Sequence, residues 1–123
     1  MAEIKQESKM GLAFELRNFT GTEKWYKTAF GGLLYTDGVK YLADQAGAYW
    51  LIDIIASAQS QMGDIPFQVW RLHVSKKKLG LVLATDGDDK LRIYAQKIPY
   101  TDFPLDEIEL YVENKVICFP RER

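Results

Sequence analysis

One stretch of the chain is apolar at the spacing of an α-helix. From Ala46 to Gln61, aliphatic side chains recur every three to four residues and fill a broad face, whereas Asp53 and Ser57 fall in a narrow polar stripe. Gly63 and Pro66 end the pattern, and Asp44 is placed to cap its start. A helix this apolar must be covered over most of its surface, so we expect it to be the principal helix of the fold.

Apolar and polar residues alternate through most of the remaining chain, as is typical of strands. Before the helix, the pattern predicts a strand over Thr22–Thr28 and a hairpin over Leu33–Leu42, with Asp37-Gly38 as its turn. Met10–Phe19 fits a helix with Leu12, Leu16 and Phe19 on one face, and it fits a single turn or an extended segment equally well. After the helix, an antiparallel meander is predicted, with strands at Phe67–Val74, Leu79–Thr85, Lys90–Ile98, Glu109–Val112 and Lys115–Phe119.

These elements predict an α+β fold, with one principal helix packed on an antiparallel sheet of about five to seven strands. The chain of 123 residues fits a single globular domain, 1–123, with a flexible N-terminal arm over residues 1–8. The inward faces of helix and strands give the predicted core: Leu51, Ile52, Ile55, Trp70, Leu72, Leu81, Ile93 and Leu110.

Charge and composition narrow the class of protein. Sixteen Lys and Arg stand against 17 Asp and Glu, so the basic excess that favours nucleic-acid binding is absent and such binding is not expected. No run approaches the roughly 20 apolar residues of a membrane helix, and the N-terminus lacks an apolar signal core. Cys118 is the only cysteine, which suits a reducing compartment. A cytoplasmic protein without membrane contact is expected.

The candidate reactive residues each have a simpler structural interpretation. His73 is the only histidine and has no second metal ligand at a diagnostic spacing, and Cys118 lies among apolar residues of a terminal strand. Asp53 shares its stripe with serine and is expected at the surface. The acidic run 86–89, Asp-Gly-Asp-Asp, lacks the spacing of a calcium loop and favours a solvated turn. We therefore expect no catalytic residue, no metal site and no cofactor.

One set of side chains remains as a candidate binding face. Strand alternation places Arg71 and His73 on the side opposite Trp70, and it places Arg92 and Tyr94 on the corresponding side of a later strand. Arginine and tyrosine are enriched at energetically important contacts. We predict that Arg71, His73, Arg92 and Tyr94 bind an acidic protein segment or an anionic metabolite. The alternative is that they form the solvated side of a one-sided sheet.

Several segments resemble a known family. They are FTGTEKWY (19–26), YTDGVKYLADQAGAYWLIDIIAS (35–57), FQVWRL (67–72) and IPYTDFPLDEIELYVEN (98–114). The chain from Phe19 to Pro120 is similar to small uncharacterised bacterial proteins associated with cyanobacteria, plasmids and phage-like elements. The resemblance implies an intracellular bacterial protein accessory to a mobile element, and it carries no activity or residue roles.

The function class expected from these observations is a small non-enzymatic binding or regulatory module. An exposed sheet edge would allow a protein partner or a homodimer. The alternative is a small-molecule-binding protein or a hydrolase with a pocket between helix and sheet. A pocket that holds Asp53 beside His73 or Arg71 would favour that alternative.

Overall fold

The computed structural model describes residues 11–62, 65–87 and 92–123, with the side chain of Arg92 excepted. The predicted flexible arm and the last two aspartates of the acidic run lie outside the described residues. The helices are α1 (11–16), α2 (Asp37–Ala46) and α3 (Tyr49–Met62), with a 3-10 turn at Pro120–Glu122. The strands are β1 (Trp25–Lys27), β2 (Leu34–Thr36), β3 (Phe67–Val74), β4 (Gly80–Thr85), β5 (Arg92–Ile98), β6 (Glu107–Glu113) and β7 (Val116–Cys118).

The strands form one sheet in the order β1-β2-β7-β6-β3-β4-β5. Neighbouring strands are antiparallel except β2 and β7, which run parallel. The predicted α+β fold with a mainly antiparallel sheet of about five to seven strands is confirmed. The predicted meander is wrong in one respect, because β6 pairs with β3 rather than with β5.

The predicted hairpin at Asp37-Gly38 is wrong, because these two residues begin helix α2. Thr36 is the N-cap, and its Oγ1 accepts a hydrogen bond from the backbone N–H of Val39 at 3.4 Å. The N–H of Gly38 donates to the carboxylate of Glu122 at 3.1 Å. Two free amides of the first turn are thereby satisfied, which favours the helix over the turn.

The principal helix begins at Tyr49 rather than at Ala46. Gly47 lies between α2 and α3 in the left-handed region, with φ of 60°, a conformation that glycine adopts without a steric cost. Asp44 therefore lies near the end of α2 and does not cap α3. The single predicted helix is in fact the second member of a helical pair joined at this glycine.

Six of the eight predicted core residues are buried: Leu51, Ile52, Ile55, Trp70, Leu72 and Leu110. Leu81 is half-buried in the row of β4 opposite the buried one, so its assignment to the core is wrong, whereas Ile93 is half-buried and packs against the edge of the core. The buried row of β4 consists of Gly80, Val82 and Ala84. These small side chains leave room for the helices and large side chains that cover this side of the sheet.

Candidate functional site

The two sides of the sheet differ in cover. One side, here called the inner face, holds the buried residues Trp70, Leu72 and Leu110 and packs with the helices in a single core. The opposite side, the outer face, carries Arg71 and His73, whose side chains are 34% and 44% exposed. The alternation of β3 thus places two of the four predicted binding residues together on a solvent-accessible surface.

Each of these two residues faces a carboxylate from β6. Arg71 Nε lies 2.8 Å from Glu109 Oε2, and His73 Nδ1 lies 3.9 Å from Glu107 Oε2. The pairs follow from the register of β3 against β6, which sets Arg71 opposite Glu109 and His73 opposite Glu107. This part of the outer face therefore presents paired charges of both signs, whereas the sequence predicted a cationic and aromatic surface.

Tyr94 does not lie on the outer face, so its predicted grouping with Arg71 and His73 is wrong. It pairs with Ala84 of the inner face, and its ring centroid lies 5.3 Å from that of Trp70. A register shift at Ala84/Thr85 makes Thr85 the partner of Arg92. The aromatic ring of Tyr94 fills the space above the small side chain of Ala84, which explains its inward position. The side chain of Arg92, the fourth predicted binding residue, lies outside the part of the chain that the structure describes.

The C-terminal segment covers one end of the outer face. The guanidinium of Arg123 lies 5.0 Å from the ring centroid of Phe67 and 5.3 Å from that of Tyr111. Its Nε and Nη2 donate to the carboxylate of Glu113 at 2.9 and 3.1 Å, and this bidentate pair lowers the pKa of Glu113. The cation therefore closes this end, and accessible surface is found towards the other end of the strands.

At that other end, an apolar groove of about 680 Å³ crosses the ends of β3, β4 and β5. We call it the end groove. Its lining is mainly aliphatic, with His73 and Lys97 as basic members and Asp106 as an acidic one; the apolar members include Val74, Leu79, Leu81, Ile98 and Pro99. Leu79 is 51% exposed, and Lys76–Lys78 form the charged turn beside it. An exposed apolar surface with a basic border is a candidate recognition surface.

A second cavity, of about 360 Å³, lies between the end of α3 and the β6–β7 hairpin. Its buried amide, Gln68, exchanges two hydrogen bonds with Gln59, accepts a third from Trp70 Nε1 and donates a fourth to the carbonyl of Ile65. These four bonds use both donors and both acceptor positions of the amide. Gln68 therefore has a structural role, and its polar groups are not free to hold a ligand.

The arrangement that would favour a hydrolase is not formed. Asp53 is exposed on α3, whereas Arg71 and His73 lie on the face of the sheet directed away from the helices. The three side chains therefore cannot line one pocket. Among the described residues, no three His, Cys, Asp or Glu side chains are grouped as ligands for a metal ion.

Comparison with known proteins assigns the chain to a family. The model of a family of unknown function, DUF6876, matches residues 10–123. The chain belongs to this family. No curated protein and no solved structure matches it. The resemblance to an uncharacterised family is thus confirmed, and it supplies no residue roles. Within the part of the chain that the structure describes, no helix is long and apolar enough to cross a membrane.

A cluster that the sequence interpretation missed fixes the angle between α2 and α3. Lys40 Nζ donates to Asp44 Oδ2 at 3.0 Å and to the hydroxyl of Tyr49 at 3.2 Å, and that hydroxyl donates to Asp44. The hydrogen bonds from Tyr49 and Lys40 lower the pKa of Asp44, and the bond to Asp44 raises the pKa of Tyr49. The i,i+4 spacing of Lys40 and Asp44 was the available signal. This cluster links the two helices.

Cys118 is buried in β7, and burial raises the pKa of its thiol from 9.0 to about 11. The unfolded chain releases this proton near pH 9 while the folded chain retains it, so the corresponding stability is lost as pH rises from 9 to about 11. We expect wild type to lose more unfolding free energy over this range than Cys118→Val does, measured by urea denaturation at each pH. Parallel pH profiles for the two proteins would show that the thiol does not contribute.

Proposed function

We propose that this protein is a non-enzymatic binding module that recognises a protein partner through the end groove and the adjoining outer face. The observation that carries the proposal is the end groove itself, an apolar surface of about 680 Å³ beside the exposed side chain of Leu79. Apolar area surrounded by polar and charged groups is characteristic of protein interfaces. The bacterial, cytoplasmic setting and the accessory role to a mobile element belong to this proposal and rest on the family resemblance.

The surroundings of the groove support recognition of a protein. Arg71 lies on the same face and is held by its ion pair with Glu109, so its geometry is largely set before a partner arrives. Tyr100 follows the end of β5 and is 69% exposed. Exposed tyrosine and arginine beside an apolar centre are the side chains that most often contribute binding energy at interfaces.

A small-molecule ligand is the second candidate. The cavity of about 360 Å³ at the end of α3 falls within the usual size range of such sites. Its central amide, Gln68, is already fully hydrogen-bonded, which leaves fewer polar groups to orient a ligand. The end groove is larger and more accessible, and the protein-binding proposal is therefore preferred.

The test selects linear peptides from a display library on wild-type protein and measures their affinity for variants. Leu81→Glu places a charge in the end groove, and Leu79→Glu does so at a position outside the strands. Ser57→Glu is the matched control, because Ser57 is exposed on α3. We expect both groove variants to weaken binding at least about tenfold, which corresponds to about 1.4 kcal/mol, and the control to bind as wild type does.

Folding of each variant is checked by urea denaturation, since surface substitutions usually change stability by about 0.5 kcal/mol or less. If no library peptide binds wild-type protein, the proposal is wrong. It is also wrong if the selected peptides bind both groove variants as tightly as the control. Selected peptides that lose affinity only on substitution of Gln59 would place the peptide site at the smaller cavity instead of the end groove.

A further inference from the structure

We propose that the partner segment is an extended acidic peptide that pairs with the edge of β5 and places apolar side chains in the end groove. This inference rests on the proposed function and specifies the chemistry of its partner. It follows from three features that meet at one corner of the sheet: an edge strand, the groove and a concentration of lysine.

The first feature is the edge strand. β5 is seven residues long and stands last in the strand order, and within the described residues β4 is its sheet neighbour. In an antiparallel strand pair, every second residue directs its N–H and C=O away from the partner strand. Such an edge accepts an extended peptide as an additional strand. The opposite edge, β1, has three residues and offers too short a template.

The second feature is the position of the groove relative to this edge. Lys97, Ile98 and Pro99 line the end groove and also form the end of β5 and the residue after it. A peptide strand added to β5 therefore runs along the border of the groove. Its side chains alternate between the two faces of the sheet, so alternate residues reach the apolar lining near Leu81, which pairs with Lys97.

The third feature is charge. Lys76, Lys77 and Lys78 are exposed in the β3–β4 turn, and Lys97 is exposed on β5 beside it. In the part of the chain that the structure describes, none of these four side chains forms an ion pair, whereas Arg71 and His73 of the neighbouring strand face carboxylates. The net charge of the whole chain is −1, so this is a local basic surface. Carboxylates of a partner would form charge-assisted hydrogen bonds with it.

The same charges argue against a second copy of this chain as the occupant. Pairing of β5 with itself would bring two copies of Lys97, and of the lysine turn, to one interface. Lysine on an edge strand is a feature that opposes such self-association. An acidic peptide that carries apolar residues and carboxylates on the same face of the strand is complementary to both the charge and the lining of the groove, because Leu81 and Lys97 share a face.

The experiment measures, by anisotropy, binding of a fluorescent synthetic peptide with the repeat Val-Val-Glu-Glu, which places both residue types on each face of the added strand. One control peptide has lysine in place of glutamate, and another carries N-methyl groups on alternate amides, which blocks strand pairing on one edge. A third control peptide is N-methylated on the other set of alternate amides, so that strand pairing through each edge of the peptide is tested. We expect the unmodified peptide to bind, and the lysine peptide and at least one methylated peptide to bind about tenfold more weakly or worse.

The matched protein variants are Lys97→Glu and Lys27→Glu. Both replace an exposed lysine of an edge strand, but Lys27 lies on β1, at the opposite edge of the sheet. We expect Lys97→Glu to weaken binding at least about tenfold and Lys27→Glu to leave it unchanged. Hydrogen exchange should show slower exchange of amides within residues 92–98 when the peptide is bound.

The inference is overturned if both methylated peptides bind as tightly as the unmodified one, or if Lys97→Glu and Lys27→Glu bind equally well. Preferential binding of a single-stranded oligonucleotide or of anionic lipid vesicles, or dimerisation through β5 seen by sedimentation, would also overturn it. Peptides that bind the groove and are lost in Leu81→Glu, but need neither carboxylates nor strand pairing, would reject this inference and retain the proposed function. Absence of binding by the synthetic peptides alone would reject this inference, and absence of binding by the library peptides as well would reject both.

Discussion

Replacing Ile55 with alanine is expected to lower the free energy of unfolding by about 2–5 kcal/mol, the usual range when a buried aliphatic side chain is truncated. Ile55 lies in the middle of α3 and is fully buried, at 0% exposure. The cavity left behind can collapse only in part, because the surrounding core is closely packed. The loss is measured by urea denaturation followed by circular dichroism.

Ile54→Ala is the matched control, since it removes the same atoms one residue away on the same helix. Ile54 is half-buried at the edge of the core, so its truncation exposes less new apolar surface. We expect it to cost clearly less than Ile55→Ala. Equal losses at the two positions, or a larger loss at Ile54, would mean that α3 is rotated about its axis relative to the sheet.

The second large effect is expected at the contact between Glu122 and the start of α2. The carboxylate accepts hydrogen bonds from Thr36 Oγ1 at 2.7 Å, from the N–H of Gly38 at 3.1 Å and from the N–H of Phe119 at 2.9 Å. Glu122→Ala removes all three and leaves part-buried donors without this acceptor. We expect it to lower the unfolding free energy by about 1–3 kcal/mol, measured by urea denaturation.

A double-mutant cycle with Gly38→Ala tests the same contact. A Cβ added at Gly38 would lie 2.9 Å from Glu122 Oε2, so alanine displaces the carboxylate and weakens the bonds it accepts. We therefore expect Gly38→Ala to destabilise wild type. In the Glu122→Ala background the obstruction is gone, and alanine should be neutral or stabilising, because it is the better helix former by about 1 kcal/mol. Additive effects of the two substitutions would show that they do not interact.

The same contact explains why the sequence misassigned Asp37-Gly38. Locally, an Asp-Gly pair between β-prone residues favours a hairpin turn. The helix forms because Thr36 caps it and Glu122, 84 residues after Gly38, accepts from its first turn. A local pattern cannot reveal a partner so distant along the chain. The apolar periodicity of α3 and the alternation of β3 depend on neighbouring residues only, and both were predicted from the sequence.

The errors at β4 and β5 have another physical origin. In β4, the large apolar side chains Leu81 and Leu83 alternate with Val82 and Ala84, so both rows are apolar and alternation alone does not identify the buried one. The row with small side chains is buried because it leaves space for helices and for Tyr94. The preference for larger side chains in the core therefore selected the wrong face.

For the candidate site, alternation placed Arg71 and His73 correctly on one exposed face. Alternation could not predict that Glu107 and Glu109 lie beside these two residues, because this depends on β6 pairing with β3 rather than with β5. The end groove was missed for a similar reason: its lining combines the β3–β4 turn, the end of β5 and Asp106. Surfaces assembled from the ends of several strands require the strand order, which residue patterns within single strands do not contain.

The parallel pairing of β2 with β7 also has a consequence for how the chain folds during its synthesis. β1 and β2 reach the rest of the sheet through Val116 and Ile117 of β7, the last strand along the chain. Until β7 has left the ribosome, β1 and β2 lack this sheet neighbour and contact α2, and a two-stranded unit is at best marginally stable in water. Completion of the sheet therefore waits until Ile117 has left the ribosome.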